Sequence, residues 1–240
     1  MAIPFRQAPN YTPGRTEPIR AIVIHTMECN ETDTAAEGNL GWGTMAPGSW
    51  HYSVDVNSIT QSVRDADTAW HAMGGNAGTL GIEHAGRAGQ TPADWADDYS
   101  VRMLRDVSAP LVADLCARYQ IPPDKITGTD YGTGKRGILG HVDVTEWARS
   151  RGYAATHWDP GPSFPWAAYL GWVRTYMAPP VDWTAIRRLA AAKNRIDARP
   201  LRLGDRGPDV KLVAGLLRSA GYRPTLRGRE TFGYRLRHTV

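Results

Sequence analysis

The chain has 240 residues, of which 42% are hydrophobic and 22% are charged, as is typical of a globular protein. It has no apolar run long enough to cross a bilayer, and its start, Met-Ala-Ile-Pro-Phe-Arg, lacks the apolar core of a secretory signal, so we expect no transmembrane segment and no signal peptide. Residues 181–240 contain 14 Lys and Arg against 5 Asp and Glu, although the whole chain carries only +4, which predicts an acidic body and a basic tail that favours an anionic partner.

Hydrophobic patterning predicts strands in the first third of the chain. Residues 20–25 form an apolar run typical of a buried strand, and residues 51–56 and 59–63 alternate around a turn, which predicts a hairpin. Residues 79–83 predict a further strand. Residues 27–50 lie between these elements as a long irregular stretch rich in Gly, Thr and Asn, and long loops of this kind are often functional.

Helical spacing dominates the second half of the body. Apolar residues predict a helix over 99–119 that Pro110 can kink, and a closing helix over 166–176. Residues 128–137 predict a glycine-rich loop that lacks the Gly-Lys-Ser/Thr ending of a phosphate-binding loop, so a plain turn is predicted at Gly132-Thr133-Gly134-Lys135, followed by a strand that leads to His141. Because strands and helices mix without a regular repeat, we expect an α/β protein with a mixed central sheet flanked by helices.

Ala178-Pro179-Pro180 marks a predicted domain edge. We expect a catalytic body over residues 1–178, a linker over 179–199 and a small helical unit over 200–240. In that unit, Pro208 suits the first turn of a helix and Gly221 its end.

The chain contains two cysteines, Cys29 and Cys116. Cys116 lies within the apolar pattern of the predicted helix, which favours a buried, inert thiol. Two cysteines far apart in sequence do not indicate a disulfide framework or a structural zinc cluster.

Three residues from separate segments suggest a metal site. His25 ends the first apolar strand, His141 follows Gly140, and Asp159 opens the sequence Asp-Pro-Gly-Pro. Two imidazoles and one carboxylate leave a fourth tetrahedral position open for water, which is the arrangement of a catalytic rather than a structural zinc. We therefore expect one Zn²⁺ per chain and a hydrolytic activity.

Six short motifs, in order over about 150 residues, resemble the zinc-dependent N-acetylmuramoyl-L-alanine amidases of the amidase-2 family, whose fold is shared with peptidoglycan recognition proteins. The motifs are Ala21–His25, His51–Asp55, Ala69–Ala72, Gly81–Glu83, Leu139–Asp143 and Asp159–Trp166. The resemblance implies a five- or six-stranded sheet with zinc at one edge, bound by His25, His141 and Asp159.

The resemblance also implies roles for residues around the metal. Glu83 matches the catalytic glutamate, which would act as general base, although a surface carboxylate on a strand is the alternative. Tyr52 matches a tyrosine whose hydroxyl could stabilise an oxyanion, or it is a core aromatic. His157 stands where many relatives carry lysine, and as a histidinium it could serve the same purpose with a pH-dependent charge.

The remaining aromatic and histidine residues are interpreted one by one. His71 matches a position that lines the substrate cleft in relatives, and Trp70 beside it is a candidate for substrate binding. Trp70 and Trp42 could stack on sugars, but filling of the core is the favoured interpretation. Spacing alone does not exclude His51 and His84 as competing ligands, although His84 should point away from Glu83 on a strand.

The C-terminal segment resembles the first half of a peptidoglycan-binding type 1 module, with Leu-Arg-Leu-Gly-Asp-Arg-Gly-Pro-Asp-Val as the matching motif. From residue 223 onwards it is basic and departs from that pattern, so the module is truncated or divergent. We expect this basic region to bind the anionic cell wall.

These observations predict a monomeric hydrolase that cleaves the amide between N-acetylmuramic acid and L-alanine of bacterial peptidoglycan, with no nucleic acid as partner. A phage endolysin made in the host cytoplasm and released by a holin is the expected setting, in preference to a cytoplasmic recycling amidase. Three alternatives stay open: a non-catalytic peptidoglycan recognition protein, a zinc peptidase that cuts within the stem peptide, and a regulator of a polymerase.

Overall fold

The computed structural model describes residues 3–177, 208–212, 226–227 and 231–232. Contacts divide the chain into two units, residues 1–179 and 180–240. The predicted linker over 179–199 lies outside the described residues, as does most of the predicted module over 200–240.

A five-stranded mixed sheet forms the centre of the first unit. In chain order its strands are β2 (Ala21–Thr26), β3 (Tyr52–Val54), β4 (Ile59–Gln61), β6 (Thr79–His84) and β7 (Gly137–Gly140), and their spatial order is β4-β3-β6-β2-β7. β3 and β4 are antiparallel, whereas β3, β6, β2 and β7 run parallel. The hairpin and the mixed α/β class predicted from the sequence are therefore confirmed. β1 (Tyr11–Thr12) and β5 (Thr68–Ala69) form a separate two-stranded pair.

Both faces of the sheet are covered, which explains why β2 is buried throughout and begins with four apolar residues. Alternation sends Ile22 and Ile24 to the larger of two core clusters, while Ala21 and Val23 enter the smaller one. The next residue in the second series is His25. Its side chain therefore emerges on the face of the smaller cluster, at the carboxyl end of the strand.

Helices pack on both faces. The larger cluster includes side chains of α3 (Ala109–Tyr119) and α6 (Trp166–Met177), and the smaller one includes side chains of α4 (Gly128–Gly132) and α5 (His141–Ser150). A 3₁₀ turn (Asp94–Ala96) and α2 (Asp98–Arg102) precede a π-helical segment (Met103–Ser108) that continues directly into α3. Pro110 lies just after this segment, and its missing N–H cannot continue the regular helical hydrogen bonds. The predicted helix over 99–119 is thus observed, with its irregular turn ahead of the proline.

Two regions predicted as loop or turn contain helices. α1 (Ala35–Trp42) lies within the irregular stretch, and its N-terminal Ala36 N–H donates to the buried Asp55 carboxylate, a long-range contact that local sequence does not reveal. α4 begins at a capping box in which Thr127 and Asp130 bond each other's backbone N–H groups. The plain turn predicted at residues 132–135 is observed as this helix ends, where Gly134 has φ +87°.

In the second unit, residues 208–212 are helical, and β8 (Leu226–Arg227) pairs antiparallel with β9 (Thr231–Phe232). Among the residues that the structure describes, none of the helices is long and apolar enough to span a membrane.

Candidate active site

Three buried side chains meet at the carboxyl edge of the central strands. His25 lies near the end of β2, His141 begins α5 directly after β7, and Asp159 lies in the loop before α6. Because β2 and β7 are parallel neighbours, their ends deliver both histidines to one edge of the sheet. The carboxylate of Asp159 bridges them: its Oδ2 is 3.1 Å from His25 Nδ1, and its Oδ1 is 3.1 Å from His141 Nδ1.

These three residues suit a metal ion by the chemistry of their donors. One ligand-type atom from each lies within 4.8 Å of the other two, and all three residues are buried. Nitrogen and carboxylate oxygen are the donors that Zn²⁺ accepts, and three protein ligands beside an open cleft leave room for water and substrate. The predicted set His25, His141 and Asp159 is therefore brought together as one cluster.

Electrostatics favour a cation between these groups. Burial opposes ionisation of Asp159, but hydrogen bonds from His141 and His25 outweigh that effect and hold the pKa of the carboxyl well below its usual value. Burial and the neighbouring His25 lower the pKa of His141. The cluster therefore offers a carboxylate and a neutral imidazole, the forms that bind metal.

The backbone around the cluster is held by specific contacts. Val142 N–H donates to Asp159 C=O at 3.0 Å, which ties the Asp159 loop to the first turn of α5. Asp143 accepts from Gly140 N–H at 2.7 Å and from Lys125 Nζ at 2.6 Å, so it caps the helix that begins with His141. Gly161 has φ +86°, and any side chain there would collide with Ala88 C=O.

Glu83 lies next to the cluster on the neighbouring strand. It is paired in register with His25 across β6 and β2, and it lines the cleft. Its Oε2 is buried without a hydrogen-bond partner among the described residues. Burial, followed by the negative charges of Asp159 and Glu28, raises the pKa of Glu83 well above its usual value. The carboxyl is thus placed and tuned to exchange a proton in the cleft.

His157 also lies beside the cluster. Its ring stacks on His141 at 4.2 Å between centroids, and its Nδ1 is 3.8 Å from Asp159 Oδ1. Its side chain is 63% exposed and lines the cleft. Desolvation and the neighbouring His141 lower the pKa of His157, which favours the neutral ring over the histidinium near neutral pH.

The suggested role of Tyr52 as an oxyanion partner is wrong. Tyr52 is paired in register with Ile82, and its side chain joins the larger core cluster on the sheet face opposite His25. Its hydroxyl donates to Asp65 at 2.6 Å. Side chains alternate between the two faces along β3. Ser53, which is paired with Glu83, lies on the face of the His-His-Asp cluster, so Tyr52 lies on the other face. Tyr52 is the core aromatic of the alternative interpretation.

A cleft of about 780 Å³ opens over the cluster. Trp70 and Trp42 line it and are 44% and 53% exposed, so the expectation that they fill the core is wrong for both. Trp42 stacks on the buried Trp50 with ring centroids 5.5 Å apart. His71 lines the cleft as predicted, and its Nδ1 is also 2.9 Å from His25 Nε2.

The two other histidines of the described residues, His51 and His84, lie outside this cluster. Gly81 N–H donates to His51 Nδ1 at 3.0 Å, within the sheet. His84 points to the opposite face from Glu83, as the strand pattern predicts, and contacts Ser108 Oγ at 2.7 Å. Cys116 is buried, and desolvation raises the pKa of its thiol to about 12, which confirms the inert thiol.

Sequence reasoning missed Glu28, which lines the cleft with its backbone in the left-handed region at φ +55°. Its Oε1 accepts from Thr26 Oγ1 at 2.6 Å and from Ala88 N–H at 2.8 Å. An unusual backbone conformation in a non-glycine residue is visible only in the fold, so no sequence signal could have identified it.

Comparisons with known proteins agree with this geometry. The amidase-2 family, described as N-acetylmuramoyl-L-alanine amidase, matches residues 15–162. N-acetylmuramoyl-L-alanine amidase A from Achromobacter lyticus is 34% identical over 159 residues, which cover 62% of this chain and 80% of the relative. The match to the structure of the Staphylococcus aureus hydrolase AmiA in complex with its ligand covers 75% of this chain and 88% of the AmiA chain. With 14% identity and a TM-score of 0.53, this match is a likeness of fold.

Proposed function

Because the chain belongs to the N-acetylmuramoyl-L-alanine amidase family, we propose that it hydrolyses the amide between the lactyl group of N-acetylmuramic acid and L-alanine of the stem peptide, with one Zn²⁺ held by His25, His141 and Asp159. The single observation that carries this proposal is the buried His-His-Asp cluster at the floor of the cleft, with Glu83 beside it. A protein that only recognises peptidoglycan would need neither the complete His25, His141 and Asp159 set nor the carboxyl group of Glu83 beside it.

When bound, Zn²⁺ supplies Lewis acidity that polarises the scissile carbonyl and acidifies water. Glu83 supplies the base. In the metal-free protein its raised pKa favours the protonated form, whereas a dication on the neighbouring ligands would favour the carboxylate. Glu83 would then accept a proton from the attacking water and pass it to the nitrogen of L-alanine as the amide bond breaks.

His157 supplies a hydrogen bond to the substrate. Its exposed ring reaches into the cleft beside Asp159 and His141. An N–H in this position can donate to the oxygen of the scissile carbonyl as negative charge develops on it. Because the pKa of His157 is lowered, the neutral ring is favoured as this donor.

The cleft walls suit a glycopeptide. Trp42 and Trp70 present exposed indole rings, whose apolar faces can pack against the carbon face of a sugar. The cleft lining in the described part of the chain contains no Lys or Arg, so recognition depends on aromatic and neutral polar groups rather than on ion pairs with stem-peptide carboxylates.

Digestion of purified peptidoglycan tests the proposal. We expect the protein to release stem peptides that begin with free L-alanine and to leave the glycan strands intact, as measured by mass spectrometry of the products. Chelation should abolish release, and added zinc should restore it. Peptides cut internally would indicate a stem peptidase, and absence of products with zinc present would contradict an enzymatic role.

We further propose that the basic C-terminal region binds the cell wall. The excess of Lys and Arg over residues 181–240 supports this, because bacterial walls carry anionic polymers. Deletion of residues 200–240 should weaken sedimentation with cell walls while turnover of small soluble muropeptides is retained. Equal loss of both would contradict a wall-binding role. The phage setting expected from the sequence stays a prediction.

A further inference from the structure

His71 makes contacts that a residue used only for substrate binding does not need. Its Nδ1 is 2.9 Å from Nε2 of His25, the ring nitrogen of that ligand turned away from Asp159. Its Nε2 is 3.1 Å from the Thr79 hydroxyl. The Thr79 hydroxyl donates in turn to Gly75 C=O at 2.8 Å. Four groups therefore lie in one line of hydrogen bonds that starts at a ligand and ends at the backbone.

The directions of these bonds follow from counting hydrogens. The hydroxyl of Thr79 has one hydrogen, which goes to Gly75 C=O, so Thr79 Oγ1 accepts from His71 Nε2–H. A neutral imidazole with hydrogen on Nε2 has a lone pair on Nδ1, which accepts from His25 Nε2–H. With a metal held between the ligands, the hydrogen that joins His25 Nδ1 to Asp159 in the metal-free protein would be displaced, and His25 would keep its hydrogen on Nε2 and its lone pair on Nδ1.

We propose that His71 and Thr79 are positioning residues that hold His25 in the tautomer whose Nδ1 is free to bind the metal. This inference rests on the zinc site of the proposed function. Ligating histidines generally donate their second N–H to a carboxylate, a carbonyl or water, and such partners set the tautomer and ring orientation. Here a second histidine takes that place, and its own tautomer is set by a threonine.

The surroundings are built to keep His71 in place. Gly81 lies under its ring, and a Cβ at that position would come within 2.6 Å of His71 Nδ1. Asn76 Oδ1 accepts from the backbone N–H groups of His71 and Ala72 at 3.0 and 2.6 Å. Thr79 is fully buried. Glycine is thus needed at position 81, because it leaves space for the ring of His71, which contacts His25.

Zinc affinity of full-length variants tests this inference. His71→Phe keeps a ring but removes both polar contacts, so we expect zinc to bind roughly 10- to 100-fold more weakly in competition with a chromophoric chelator. His71→Gln offers an acceptor to His25 and a donor to Thr79 and should recover most of that loss. Thr79→Val, nearly equal in shape, should weaken binding in the same direction by less.

Met73→Ala is the matched control. Met73 lines the same cleft but takes no part in the chain of bonds, so its zinc dissociation constant should equal that of the wild type. Circular dichroism of each metal-free variant shows whether the fold is kept. If His71→Phe does not fold, Thr79→Val and a measurement on the wild type decide the question.

That measurement is the long-range ¹H–¹⁵N spectrum of the zinc-loaded wild type, which reports the tautomer of each histidine. We expect hydrogen on Nε2 of both His25 and His71. Hydrogen on Nδ1 of His71, or wild-type zinc affinity in a folded His71→Phe variant, would overturn the inference. A wild-type protein that binds zinc but leaves peptidoglycan intact would refute the proposed function instead, and the ratio of affinities would still test the positioning role.

Discussion

Glu83 has a raised pKa and a side chain that faces the cleft. Burial and the charge of Asp159 raise its pKa, while its strand position next to His25 directs it towards the same cleft. An ordinary surface glutamate on a strand would have neither property. These surroundings support the base that we propose over the surface carboxylate that the sequence left open.

Replacement of Glu83 by Gln keeps the size of the side chain and removes its ability to accept a proton. We expect kcat on muropeptides to fall by roughly 10²- to 10⁴-fold with zinc still bound at one per chain. Glu28→Gln is the matched control, because it neutralises another cleft carboxylate and should cost less than about tenfold in kcat. Full activity of Glu83→Gln would remove Glu83 as the base.

His157 is expected to act through its N–H group rather than through a fixed charge. His157→Ala should lower kcat by roughly 10²-fold, the effect of losing one oxyanion donor, with the zinc dissociation constant unchanged. His157→Lys, which introduces the residue that many relatives carry, should retain much of the activity. Steady-state kinetics on a soluble muropeptide provide the measurement, and an alanine variant with wild-type kcat would contradict the role.

At the scale of elements, the site depends on how α5 begins. His141 is the first residue of that helix, and the Asp143 carboxylate caps it through Gly140 N–H while pairing with Lys125. A loose first turn would leave the ligand without a defined position. The motif Leu139–Asp143 therefore contains both the proposed metal ligand His141 and Asp143, which holds the backbone next to it.

Asp143→Ala should lower the free energy of unfolding of the metal-free protein by about 1–2 kcal/mol and weaken zinc binding as well. Asp130→Ala is the matched control, since Asp130 caps α4, which carries no ligand. It should lower stability without a change in zinc affinity. Urea unfolding in EDTA and chelator competition measure the two effects, and unchanged zinc affinity in Asp143→Ala would contradict this role of the cap.

Much of this arrangement could be predicted from the sequence, because local patterns report local structure. The apolar run before His25 and the alternation around the hairpin gave the strands, and the ordered motifs gave the ligands. Two of the differences between prediction and structure arise from distant contacts. α1 forms where Asp55, 19 residues away, accepts from its first turn, and Tyr52 faces away from the ligands because β3 pairs in one register and not the next.

In the molecule as a whole, buried neutral histidines make the free energy of unfolding depend on pH. Burial and the nearby Arg15 lower the pKa of His51 to about 3, and burial lowers the pKa of His84 to about 4. Unfolding returns both to about 6.5. Between these values the unfolded chain binds more protons than the native protein, so stability rises with pH and is lost as the pH falls from about 6.5 towards 4.

We therefore expect the urea midpoint of the metal-free protein to fall steadily over this pH range, with each histidine contributing up to about 1.4 kcal/mol per pH unit. His84→Gln should be less stable at pH 7 but should show a shallower slope. His157→Gln, which alters an exposed ring, should keep most of the wild-type slope. Equal slopes in wild type and His84→Gln would contradict this assignment.

We propose that a metal held by His25, His141 and Asp159 serves the attack of water on the lactyl carbonyl of N-acetylmuramic acid. This proposal is tested by digestion of peptidoglycan in H₂¹⁸O, followed by mass spectrometry of both products. We predict one ¹⁸O atom in the lactyl carboxylate of the glycan product, none in the L-alanine-terminated peptide, and no reaction after chelation until zinc is restored. Incorporation of ¹⁸O into a peptide carboxylate, or full activity in the chelated protein, would contradict it.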